Sequence, residues 1–154
     1  MEDFSDHDLD DLYGEVIMDH YRNPKNSGRI SDPDISSEGF NPFCGDRIIL
    51  ELTISGSDNI NYISFKGEGC SISQATASMM TENIKGKSLS EAANLSEIFR
   101  AMMHGDTLST TDLDKINDLI CLQGVRKFPI RIKCALLSWA ALDDGIQEYI
   151  AKHP

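Results

Sequence analysis

An α+β fold, with a small antiparallel β-sheet covered by α-helices, is what this chain predicts. Three observations carry that expectation. Two stretches in the first half alternate apolar and polar residues on either side of a turn, everything beyond Gly69 has helical spacing, and strands and helices are segregated rather than interleaved. With 154 residues and 40% apolar content, the chain reads as one domain, 1–154, able to build a core without disulfide staples.

The elements follow in order. Residues 8–22 place Leu9, Leu12, Tyr13, Val16, Ile17 and His20 at helical spacing, and Asn23-Pro24 ends the run. The first eight residues are expected to form a disordered acidic tail. A loop rich in Asn, Ser, Gly and Pro covers 24–33. A short strand near 35–40 precedes a stronger one over 46–55, where Ile48, Leu50, Leu52 and Ile54 alternate with polar residues. Gly56-Ser57-Asp58-Asn59 turns the chain, and 60–66 returns as the second arm of a hairpin.

The helical half begins with 70–85, dense in Ala, Ser and Met and stopped by Gly86. Ser88 and Glu91 have capping-box spacing and start a helix running through Met103 to Gly105. A short helix is expected over 112–122, closed by Gly124. The last starts at Pro129, a favourable first-turn residue, and is expected to turn Ile132, Leu136, Trp139, Ala140, Ile146 and Ile150 inward. The pairs Met79-Met80 and Met102-Met103 read as gap-filling core residues.

A net charge of −11 argues against binding nucleic acid or an anionic membrane surface. Eight acids fall within the first nineteen residues, where a solvated tail and an exposed helix face account for them. No apolar run has signal-peptide or bilayer-spanning length, so the expected location is cytoplasmic. In that reducing compartment four cysteines are metal ligands or reactive thiols rather than a disulfide framework.

Cys44 and Asp46 flank a glycine, Cys70 opens a helix after Gly67-Glu68-Gly69, and Cys134 lies in the second turn of the last helix. Thiolate and carboxylate are both ordinary zinc ligands, and four of them close a tetrahedron. A helix N-terminus also favours a thiolate. The intervals of 26 residues from Cys44 to Cys70 and 64 from Cys70 to Cys134 are not diagnostic. Spacing therefore leaves two readings open, inert core thiols or a convergent Cys3Asp site, and the polar or glycine neighbours of each cysteine favour the second. Cys121, between Ile120 and Leu122, reads as a packed core thiol.

Arg126, Lys127, Arg131 and Lys133 form a positive patch before Cys134, with Arg131 and Lys133 the candidates to support a sulfur anion there. None of His7, His20, His104 and His153 has ligand spacing; His20 reads as a core or hydrogen-bonding histidine.

Four segments, LYGEVIMDHYRNPK (12–25), NPFCGDR (41–47), FKGEGCSISQATASMM (65–80) and LQGVRKFPIRIKCALLSW (122–139), resemble the SufU family of iron–sulfur assembly proteins within the IscU-like superfamily. The resemblance implies the IscU-like α+β fold and a zinc site made by Cys44, Asp46, Cys70 and Cys134. It also implies a zinc-dependent sulfurtransferase in which Cys44 accepts persulfide sulfur from a pyridoxal-phosphate cysteine desulfurase (SufS-like), stimulates it, and serves downstream iron–sulfur assembly proteins. The alternative is a scaffold on which a transient iron–sulfur cluster is built. IscU-like scaffolds usually carry histidine immediately before the last cysteine, where this chain has Lys133, and the stretch between Cys70 and Cys134 is longer here. Both departures favour sulfur relay.

Overall fold

The computed structural model describes residues 6–153, with side chains described from residue 13 onward. The elements are α1 (Asp6–Arg22), β1 (Ile35–Asn41), β2 (Asp46–Ser55), β3 (Asn59–Glu68), α2 (Ser71–Ile84), α3 (Leu89–Met103), α4 (Thr110–Ile116), a 3-10 segment (Asn117–Lys127) and α5 (Pro129–Lys152). Most of the expected tail, residues 1–5, lies outside the described residues; Asp6 to Asp8 already belong to α1. Among the described residues no helix is long and apolar enough to cross a membrane.

The three strands form an antiparallel sheet in the order β1-β2-β3, so β2 is paired on both sides. Strand parity decides what each residue faces. Ile48, Leu50 and Leu52 point under the helices and are fully buried, and Asp46 shares their parity. Across the ladder Asn41 pairs with Asp46, Leu50 with Phe65 and Ile48 with Gly67. On the other face Glu51 is held by Arg29 at 2.6 Å and by the Ile30 N–H at 3.1 Å, which ties the loop after α1 to the sheet.

Helices α2 and α5 cover the inner face, and α1 and α3 pack against them. Gly145 lets α5 lie close on β1, since a Cβ there would meet Ile35 Cγ2 at 2.7 Å. The core beneath contains Met79, Met80, Met102 and Met103, together with Phe99 stacked on Trp139 at 5.0 Å. The α3 start is the expected capping box: the Glu91 N–H donates to Ser88 Oγ at 3.1 Å and the Ser88 N–H to Glu91 Oε1 at 3.2 Å, a pair worth about 1 kcal/mol.

Two expectations are corrected. The helix expected over 112–122 is broken after Ile116, because Asn117 takes φ +52° and ψ −131° and the chain continues as a 3-10 segment. Asparagine tolerates positive φ better than most residues, which is why the break can occur there. In α5, Ile150 does not face inward: it is 56% exposed, since the helix has run past the edge of the core by its last turns. Ile132, Leu136 and Ala140 are half-buried, and the deepest stripe is Cys134, Ala135, Ser138, Trp139, Ala141 and Leu142.

Candidate metal centre

The site gathers at one end of the sheet. The connection between β1 and β2 is only Pro42 to Gly45, and Cys44 sits on it, half-buried, beside an exposed Phe43. Asn41 shapes that loop: its carbonyl accepts the Gly45 N–H at 2.9 Å and its side-chain Oδ1 accepts the Phe43 N–H at 3.2 Å. Gly45 closes the turn at φ +69°. Asp46 then opens β2 with its side chain fully buried.

Cys70 is the N-cap residue of α2 and has no side-chain capping bond, so its sulfur is left for the site. Its N–H donates to Asp46 Oδ1 at 2.8 Å, and its thiol lies 3.8 Å from Asp46 Oδ2. Cys134, on the buried stripe of α5, approaches Cys44 with a sulfur–sulfur distance of 3.6 Å. Ligand atoms of Cys44, Asp46 and Cys134 lie within 4.8 Å of one another, and Cys70 joins them through Asp46. Sequence separations of 26 and 64 residues thus close into one constellation.

Around it, Asn41 Nδ2–H points at Cys134 Sγ from 3.9 Å. Arg131 lies one helical turn before Cys134, and its contacts with Cys134 and then Cys70 hold its proton more firmly than usual. Lys133 places Nζ 4.8 Å from the centre of the ring of Phe43, the chain neighbour of Cys44. Arg126 bonds the carbonyls of Gln123 and Met102 at 3.2 and 3.3 Å, serving helix ends rather than the thiols. His20 is buried with Nδ1 2.8 Å from Ser78 Oγ, a hydrogen-bonding core histidine as expected. Cys121 is buried apart from the other thiols, and burial followed by the Asp118 charge pushes its pKa up. Asn41 and Gly69 escaped the sequence reading, although strand parity carried outward from Ile48 puts the partner of Asp46 on the inner face.

The donor set fits zinc: three sulfurs and one carboxylate oxygen. The carboxylate supports this, because Asp46 is fully buried and is met by a backbone N–H and a thiol rather than by a basic side chain. A buried anion without a cation is costly. Burial first, then its contacts with Asp46, Cys44 and Cys70, push the Cys134 thiol well above its ordinary pKa. In the metal-free protein that sulfur therefore keeps its proton at neutral pH, and a metal must displace it. Metal affinity should fall on acidification, by about tenfold per pH unit for each proton released. Competition against a chelating dye between about pH 6 and about pH 8 would measure it, and a flat profile would contradict a thiol-built site.

An α+β domain with thiols and a carboxylate converging beside an exposed loop defines the class, a metal–thiol site domain. The chain belongs to the NifU-like N terminal domain family, whose profile matches residues 12–154. It is 51% identical over 138 residues to the zinc-dependent sulfurtransferase SufU of Bacillus subtilis, covering 90% of this chain and 91% of that protein. It is 39% identical over 140 residues to the iron–sulfur cluster assembly scaffold protein IscU of Streptococcus pyogenes, covering 90% and 85%. The fold matches a crystal structure of an iron–sulfur cluster assembly scaffold protein for the SUF system from Fervidobacterium islandicum, with TM-score 0.78, 34% identity, and 92% and 99% of the two chains covered. These likenesses agree with the four segments read from the sequence.

Proposed function

We propose that this chain is an iron–sulfur cluster assembly protein that works as a zinc-dependent sulfurtransferase, accepting sulfur at Cys44 from a pyridoxal-phosphate cysteine desulfurase. The supporting observation is the asymmetry of the gathered thiols. Cys134 is fully buried, whereas Cys44 and Cys70 are half-buried, Cys70 as the cap of α2 and Cys44 on the loop between β1 and β2. A purely structural site would be closed, while a transfer site keeps one sulfur accessible. Cys44, Asp46, Cys70 and Cys134 would hold the zinc, whose contribution is to keep the thiols deprotonated.

The transfer itself is an exchange at sulfur. The Cys44 thiolate attacks the outer sulfur of the desulfurase cysteine persulfide, the persulfide S–S bond breaks, and the desulfurase cysteine leaves as a thiolate with the electron pair. A new S–S bond remains on Cys44, so the sulfur moves without net oxidation or reduction. Arg131 favours the sulfur anions electrostatically. Phe43, the chain neighbour of Cys44, is 81% exposed and offers a partner an apolar contact beside the acceptor.

Scaffolding of a transient cluster is the rival reading. Lys133, at the position where scaffolds carry histidine, lies over Phe43 and is not a metal donor, which favours transfer. Protein purified without air should be colourless and hold one zinc per chain; brown protein with iron and labile sulfide would overturn the transfer reading. Desulfurase turnover should rise with zinc-loaded protein and not with stripped protein. Stripping should lower the melting temperature and leave the far-ultraviolet dichroism in place, because the core of Trp139, Phe99 and the methionines does not involve the site. Complete unfolding on stripping would instead indicate a zinc whose role is structural.

A further inference from the structure

A second group of metal-type side chains lies away from the thiols. His20 is in the last turn of α1, Glu82 on α2 and Asp118 on the 3-10 segment, and a ring nitrogen and one oxygen of each carboxylate all lie within 4.8 Å of one another. No hydrogen bond or ion pair joins the three among the described residues. Two carboxylates and an imidazole are thus held near one another without contacts that close the space between them.

The orientation of the group comes from outside it. The His20 ring is 7% exposed and its Nδ1 lies 2.8 Å from Ser78 Oγ, which also accepts the Lys25 N–H at 2.8 Å. With Nδ1 engaged, Nε2 is the nitrogen left to bind, and it has no protein partner among the described residues. Asp118 Oδ1 accepts from Asn83 Nδ2 at 2.9 Å, and that amide also donates to the Met79 carbonyl at 2.7 Å. The second Asp118 oxygen has no hydrogen-bond partner among the described residues. Glu82 reaches the group from the surface, while neighbouring hydrogen bonds fix the directions of His20 and Asp118, as they do for ligands in metal sites.

We propose that His20, Glu82 and Asp118 form a second binding site for a divalent first-row cation, distinct from the thiol centre. One imidazole nitrogen with carboxylate oxygens and no sulfur suits the harder first-row ions, Mn2+ and Fe2+ as well as Zn2+, with positions left for water, and it disfavours soft ions. An ion there would clip α1, α2 and the 3-10 segment together.

The test uses the full chain with its thiol centre already filled by zinc, titrated with Mn2+ and followed by the electron paramagnetic resonance of the free ion. Mn2+ does not displace thiolate-bound zinc, so the two sites stay separable. One additional equivalent should bind, with broadening of the His20 ring protons. Glu82→Gln and Asp118→Asn should each weaken binding by about tenfold or more. Glu82 is exposed and Asp118 half-buried, and both replacements keep the side chain's shape, so these variants are expected to fold even if a His20 variant does not, and circular dichroism checks it. Absence of Mn2+ binding up to millimolar concentration would overturn the proposal. So would unchanged binding by the double variant, which would place the ion on other acidic groups. Desulfurase stimulation assayed without Mn2+ reports only on the thiol centre, so either reading can fail without the other.

Discussion

Replacing Cys44 by alanine should reduce stimulation of the desulfurase to the level seen with no added protein. The argument is one of access. Of the three gathered thiols, Cys134 is fully buried and Cys70 is tied by its N–H to Asp46, while Cys44 stands on a short loop between two exposed neighbours. Cys70 is half-buried as well, but it caps α2 and its N–H is committed to Asp46, so Cys44, on the loop, is the better-placed acceptor. Removing Cys44 also removes one of the four proposed zinc donors, so the melting temperature should fall toward that of stripped protein, while the core keeps the chain folded and the melt cooperative. Radiolabelled sulfur from the desulfurase should no longer become attached to the chain. If labelling and stimulation persist, the acceptor is Cys70 and the reading of the loop is wrong.

Gly69→Ala should empty the metal centre and destabilise the domain by about 2–4 kcal/mol. Gly69 has φ +144°, a conformation side chains rarely adopt, and a Cβ there would come 2.1 Å from Asp46 Oδ1, 2.8 Å from its Cγ and 2.9 Å from its Cα. Turning the carboxylate aside would not relieve the clash, because the Asp46 backbone is also too close. Either β2 shifts at its first residue or Cys70 moves, and both break the 2.8 Å bond between the Cys70 N–H and Asp46. Gly45→Ala is the control: φ is +69° and nothing lies within 4 Å of the added carbon, so only a backbone cost of about 1 kcal/mol is expected. Zinc content and thermal melts of the two variants should separate clearly. Equal zinc content would show that the Gly69 backbone does not hold Asp46 in place.

Much of this architecture was legible because the signals are periodic. Ile48, Leu50 and Leu52 announce a half-buried strand, and Ser88 with Glu91 announces a helix start that forms as written. The break at Asn117 was not legible, because helical spacing continues through it and only a positive φ interrupts the backbone. Ile150 kept its period beyond the point where the core ends, so periodicity assigned a face with nothing left to pack on. At the centre, the sequence offered the ligand types and the resemblance grouped them, but distance could not be read from spacing. Arg131 and Lys133 both flank Cys134 in the chain. Residue 131 shares a helix face with 134 three positions on and meets its thiol, whereas 133 leaves the helix about 100° round and lies over the ring of Phe43. The cluster of His20, Glu82 and Asp118 left no trace, since its members come from three separate elements.

If Cys44 is the acceptor proposed above, the brevity of the connection between β1 and β2 limits how sulfur could leave it. Four residues, pinned at both ends by the paired Asn41 and Asp46 and closed by the Gly45-to-Asn41 bond, leave the Cys44 sulfur a travel of only a few ångströms. It cannot behave as a swinging arm that ferries its load between distant catalytic chambers. On that reading, the proteins that give and receive the atom would have to supply the reach themselves.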